Sequence, residues 1–190
     1  MKKDLKKIIK DATKEIFLDA GYQAVSMRKI ARKIGYSATA IYLYYQNKEE
    51  LLKDILADYN CDYEATETAI LATQKSSNEK LQDLLLAYVE QALAHPEMFK
   101  LLNTHFENIR TSKAEMSANR HFAVLQELVQ ECLDQQIFAG DDARKIAQVL
   151  WMHVYGVAGM MVNKPQLNWG DQQQLADFAI AKILASFSAD

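Results

Sequence analysis

The chain should fold as an all-α protein of about nine helices, built from apolar residues that recur three and four apart along most of its length. Only 6 glycines and 2 prolines interrupt 190 residues, too few for the frequent turns of a β-rich chain. The breaks that do occur carry helix-stop and helix-start chemistry. They fall at Gly35, at Ser76-Ser77-Asn78, at Pro96, at Ala139-Gly140-Asp141 and in the loop from Lys164 to Gly170.

The segment from Ser26 to Lys48, SMRKIARKIGYSATAIYLYYQNK, reads as two short helices joined by a tight turn. Met27, Ile30, Ala31 and Ile34 set the inner face of the first and leave Arg28, Lys29, Arg32 and Lys33 outward. Ser26 stands where an N-cap belongs, and Gly35 supplies the left-handed residue that ends the helix. Ser37 then caps a second helix from Ala38 to about Tyr45, which buries Ile41 and Tyr45 and turns Ala38, Thr39, Tyr42 and Tyr44 the other way.

Small residues at the start of that second helix let it enter a DNA major groove, which is the outline of a helix-turn-helix. No Asp or Glu occurs from Ala20 through Lys48, so no carboxylate opposes phosphate there. The alternative is a cationic, solvated helical hairpin. Charge divides the chain in the same sense: residues 1–53 hold 12 Lys and Arg against 6 Asp and Glu, the remainder 10 against 19. A protein of net charge −3 therefore carries a basic head able to steer toward DNA.

These residues resemble the N-terminal signature of the tetracycline-repressor (TetR) family of bacterial transcription regulators over about the first 55 positions. The resemblance is carried by Ile9, Ala12, Ile16, Phe17 and Gly21, then by Ser26, Ile30, Ala31 and Gly35, and finally by Ser37, Tyr42, Tyr44, Lys48, Glu49 and Leu51. Three positions depart from it. Thr39 stands where a small Gly, Ala or Pro is commoner, Tyr45 replaces the usual Phe, and Tyr36 replaces a smaller apolar residue.

The resemblance implies a DNA-binding domain over residues 1–47 and an effector-binding and dimerisation domain over 48–190, joined by a signal-transmitting helix over 48–75. It implies that Ser26, Tyr42, Tyr44 and Lys48 hold phosphates, while Arg28, Ala38, Thr39 and Ala40 lie near base edges, with Ser37 on the same surface. The chemistry suits those roles: Arg28 can fork onto guanine, and a Thr39 or Ala40 methyl can touch thymine. Tyr42 and Tyr44 also read as packed aromatics.

Past the head, Asn47 and Glu50 make a capping-box-like start to a helix that runs through Leu51, Leu52, Ile55, Leu56 and Tyr59 to about Gln74. Leu81, Leu84, Leu85, Tyr88, Val89 and Leu93 mark a fifth helix, and a sixth spans Glu97 to about Arg110. A seventh runs from Ala114 to about Phe138. The last two cover about Asp142 to Asn163 and Asp171 to Phe187.

Those last helices are apolar on more than one face over Leu150–Val162 and Leu175–Leu184, so each needs a second partner surface, most economically another copy of the chain. A two-fold homodimer would set two reading helices on a palindromic operator. Gly156 and Gly159 permit close helix approach, either across that interface or within the chain. Trp151 to Gly156, WMHVYG, is similar to the Trp-x-x-x-His-Gly motif of one TetR C-terminal subclass, with Tyr155 in the histidine place.

An effector pocket implied by the family would take apolar walls from Phe99, Leu102, Phe106, Leu125, Met152 and Tyr155, and polar anchors from Asn103, His105 and Tyr155. A plain helical core is written in the same letters. The methionines at 98, 116, 152, 160 and 161 either fill gaps or let a cavity accept varied ligands. The acidic C-terminal part favours a neutral or cationic lipophilic effector.

Other function classes find little support. No apolar run approaches the ~18 residues of a membrane span, and the lysine-rich start lacks a signal-peptide core, so a cytoplasmic protein is expected. Cys61 and Cys132 are isolated, and His95, His105, His121 and His153 lack metal-site spacing, so neither disulfide, metal nor cofactor is expected. An enzyme on this fold would need a nucleophile motif or phosphate loop that the sequence does not contain. An interaction protein without operator specificity remains the other rival.

Overall fold

The computed structural model describes residues 2–104 and 112–189. Among them are nine α-helices: α1 (Lys2–Ala20), α2 (Met27–Ile34), α3 (Ala38–Tyr42), α4 (Lys48–Leu71), α5 (Ser77–Ala94), α6 (Pro96–Thr104), α7 (Ser112–Asp134), α8 (Ala143–Asn163) and α9 (Gln172–Ala185). A 3₁₀ turn covers Tyr22–Ala24. Phe138 and Ser188 form an isolated β-bridge, and no strand occurs among the described residues. The chain is all-α as expected.

Two compact units emerge. The first gathers the described residues of Met1–Tyr59 and Glu97–Thr111, the second those of Asn60–Pro96 and Ser112–Asp190. In the first unit Ile9, Ile16, Phe17, Ile30, Ile41 and Tyr45 share one core with Leu51, Leu52 and Ile55 of α4 and with Met98 and Leu101 of α6. The core of the head thus extends past residue 47, because the apolar stripe of α4 begins inside it.

Local chemistry accounts for the helix ends. The Glu50 amide donates to Asn47 Oδ1 at 2.8 Å, and Glu50 Oε2 accepts from the Gln46 amide at 2.6 Å. This is the anticipated capping box, displaced by one residue on the return bond. Ser76 and Glu79 form a complete box at the start of α5. Helix α3 is shorter than the expected Ala38 to Tyr45, since Leu43 and Tyr44 leave it in a turn that still buries Tyr45.

In the second unit α5 packs against α7, α8 and α9. Its core includes Leu81, Leu84 and Val89 of α5, Leu125 and Val129 of α7, Leu150, Val154 and Ala158 of α8, and Ile180 of α9. His153 links α8 to α9 through the Ala179 carbonyl, 3.2 Å away. Cys132 is buried in α7, and that burial pushes its thiol up to about 11, away from the range of a reactive thiolate.

Candidate nucleic-acid interface and ligand cavity

Helix α2 is capped as its sequence requires: the Lys29 amide donates to Ser26 Oγ at 3.2 Å. Gly35 closes it at φ 72°, ψ 26°, a left-handed conformation that glycine adopts without a Cβ clash. Ser37 Oγ accepts from the Ala40 amide at 3.2 Å and starts α3, which packs against α2. Each capping hydroxyl accepts one bond and keeps its own O–H to donate.

Of the nine residues assigned to a DNA-facing surface, Ser26, Arg28, Ser37, Thr39 and Tyr42 are exposed, while Ala38, Ala40, Tyr44 and Lys48 are half-buried. Tyr42 is 53% exposed, whereas Tyr44 packs partly against the core of the head. Lys48 Nζ sits 4.0 Å from the centre of the Tyr22 ring. That contact restrains a long side chain at the start of α4 and lessens the entropy lost when it meets a phosphate. Leu43, 80% exposed beside Tyr42, escapes sequence reasoning because period counting assigns it to a longer α3.

Behind this surface a polar cluster ties α1 to α4. Asp54 Oδ2 accepts from Tyr45 Oη at 2.7 Å and pairs with Lys6 at 2.9 Å and Lys10 at 3.0 Å. Burial alone would raise the Asp54 carboxyl, but the bonds from Tyr45, Lys6 and Lys10 outweigh it and hold it down to about 2. Burial and the Asp54 bond push the Tyr45 phenol far up. The Tyr45 hydroxyl therefore serves the architecture of the head.

The second unit contains a small aromatic cavity lined by Tyr63 of α4, Leu84, Leu85 and Tyr88 of α5, His121 and Leu125 of α7, and Trp151 and Val154 of α8. Its free space is about 10 Å³, room for about one water. Tyr63 also walls an adjoining open groove of about 270 Å³ with Asp62, Thr66, Glu90, Gln91 and His95. Beside the cavity His121 Nδ1 lies 2.7 Å from Glu67 Oε2, and the Glu67 side chain is wholly buried.

Among the residues expected to wall a pocket, Leu125 lines this cavity. Phe99 is buried in α6 of the first unit, and Leu102 packs there against the core of the head. Asn103 donates to the Phe99 carbonyl on its own helix at 2.7 Å. Met152 and Tyr155 are exposed, because the inward face of α8 is set by Trp151, Val154 and Ala158. His105 and Phe106 lie outside the described residues. Sequence reasoning misses Glu67 and Tyr63, and it reads Tyr88 only as part of the apolar face of α5 and His121 only as a histidine without metal-site spacing: in sequence a buried glutamate in a polar helix looks like any solvated one.

Residues 9–55 match the model for bacterial regulatory proteins of the tetR family. Residues 81–183 match the tetracyclin repressor-like C-terminal domain. The chain belongs to the TetR family.

Solved structures agree in fold. A TetR/AcrR-family transcriptional regulator from Thermobifida fusca aligns at 21% identity and TM-score 0.76, covering 95% of this chain and 97% of that one. The ketosteroid transcriptional regulator KstR2 of Mycobacterium tuberculosis aligns at 17% identity and TM-score 0.74, covering 97% and 95%. The fatty acid degradation regulator FadR from Bacillus halodurans gives 21% identity and TM-score 0.75, covering 94% of each chain. No curated protein matches by sequence. As a TetR-family member the chain is a DNA-binding transcriptional regulator, and no described helix is long and apolar enough to cross a membrane.

Proposed function

We propose that this TetR-family protein is a homodimeric, cytoplasmic repressor that occludes transcription from a palindromic operator and leaves it when a small lipophilic effector binds the second unit. Operator contact is assigned to Ser26, Arg28, Ser37, Ala38, Thr39, Ala40, Tyr42, Tyr44 and Lys48. The observation that carries this role is the pair of serine-capped helices, α2 and α3, with exposed Arg28, Thr39 and Tyr42 and no carboxylate between Ala20 and Lys48.

Dimerisation is inferred from the outward side of α8 and α9. Val149, Met152, Tyr155 and Met160 are exposed on α8, and Phe178 is exposed on α9. Around the positions a Cβ would take at Gly156 and Gly159 no described atom outside the local helix backbone lies within 4 Å, so packing among the described residues does not require either glycine. Large exposed apolar side chains beside small ones suit a self-complementary helix face.

Release requires the effector to prefer the non-binding conformation: to move a population from 1:99 to 99:1 that preference must be about 10⁴-fold. The role assigns no catalytic step to the protein. Its test is selection of bound fragments from sheared DNA of the source genome, with competitor DNA at near-physiological salt. A recovered palindrome is expected. Equal retention of all fragments, with affinity collapsing as salt rises, would instead leave a helical protein that no longer reads sequence.

A further inference from the structure

We propose that the aromatic cavity and the groove beside it form one binding site for a small organic cation. The proposal rests on the effector reading above and names the effector's chemical class.

The cavity is walled by aromatic rings. Tyr88 and Trp151 lie 5.4 Å apart at 53°, and Tyr63 stands edge-on to Tyr88 at 6.2 Å and 84°. The negative face of an aromatic ring attracts a cation, and more strongly where water is excluded. Space for the ligand comes from the groove, whose 270 Å³ approaches the roughly 300 Å³ of compact ligand sites. Tyr63 is the wall shared by groove and cavity, and its hydroxyl reaches the Leu84 carbonyl over a long 3.4 Å. The proposal requires the Tyr63 ring, packed edge-to-face against His121 at 4.8 Å, to turn aside on binding so that the two spaces join.

Charge selects the ligand's sign. Asp62 and Glu90 line the groove, and Glu64 and Glu67 follow along the same helix as Tyr63. Among the described residues the guanidinium of Arg120 faces this group of carboxylates, 3.1 Å from Glu67 Oε1 and 3.5 Å from Glu64 Oε2. An anionic effector would meet an excess of negative charge, whereas a cation is drawn in by it. Glu67 stands behind this lining, paired with His121 of the cavity wall. It is fully buried, its Oε2 is engaged by His121, and its Oε1 accepts no hydrogen bond among the described residues, having only the ion pair with Arg120. Arg120 is itself 47% exposed, so it can return to water when a ligand cation takes its place.

The experiment is calorimetric titration of the full chain with phenyltrimethylammonium and with tert-butylbenzene, its uncharged isostere, alongside operator binding by fluorescence anisotropy. Wild-type protein should bind the cation at least about tenfold more tightly than the isostere. Glu67→Gln should remove that preference. Should that variant fail to fold, Trp151→Leu should weaken the cation more than the isostere, and the wild-type comparison stands by itself. Equal binding of both ligands, or tighter binding of tert-butylbenzene, would overturn the cationic class and leave a lipophilic effector. No binding of either at millimolar concentration, with operator still bound, would overturn the site and leave the regulator. Failure to bind any operator would count against the regulatory role instead, whatever the ligands do.

Discussion

The two units handle charge in opposite ways. In the first, Arg28, Lys29 and Arg32 stand in solvent on α2, while Asp54 and Asp58 are drawn into ion pairs with the lysines of α1. In the second, a carboxylate, Glu67, is buried beside aromatic rings with a histidine and a half-exposed arginine as partners. Exposed cations cost little to keep and act over a Debye length, which suits a surface that meets phosphates. A buried carboxylate is expensive to keep and acts at contact distance, which suits discrimination among small ligands. Under the proposed roles, one chain would separate long-range attraction from short-range selection.

The largest effect expected from breaking this arrangement comes from neither charged site but from the apolar face that would couple two copies. Phe178 is 61% exposed, and Phe178→Asp should leave the fold intact while splitting the dimer. Operator affinity should then fall by about 10² or more, because the second half-site loses its effective concentration. Sedimentation velocity with operator titration checks this; a dimer that survives the substitution would move the interface elsewhere.

Within the head, Arg28→Ala should cost about 1–3 kcal/mol of discrimination at one base position, relaxing specificity there and leaving neighbouring positions alone. Competition against operators substituted base by base reads this directly. Lys48→Ala should act more weakly and without regard to sequence, lowering the slope of log affinity against log salt by about 1. A pronounced change in base preference for Lys48→Ala would reassign it from phosphate to base contact.

The same contrast separates what is legible in the sequence from what is not. The head is local: cap, apolar stripe, left-handed glycine and second cap occur in order between Ser26 and Ala40, and each has a fixed chemical meaning. Its burial pattern at Ile30, Ala31, Ile41 and Tyr45 is as the spacing predicts. The cavity is not local. It takes residues from four helices spread between Tyr63 and Val154, and one residue of rotation on α8 decides whether Trp151 or Met152 faces in. Periodicity locates a helix but fixes its rotation poorly when both faces are apolar. Glu67 is illegible for a further reason: its burial depends on His121 and Arg120, more than fifty residues away.

The smallest effect lies at the buried phenol of Tyr45. Tyr45→Phe keeps the buried ring and deletes one of the three donors to Asp54, the hydroxyl 2.7 Å away. At neutral pH the head should lose about 1 kcal/mol. Asp54 has its carboxyl held down to about 2, so the stability it contributes is complete above its unfolded value near 3.8 and disappears as pH falls through about 2. The difference between wild type and Tyr45→Phe should follow the same course, constant from neutral pH down to about 4 and shrinking below it. Amide hydrogen exchange of α1 to α3 at several pH values measures this for the head alone. A difference that stayed constant to the lowest pH would mean the hydroxyl stabilises by something other than its bond to the ionised carboxylate, since only that bond titrates away.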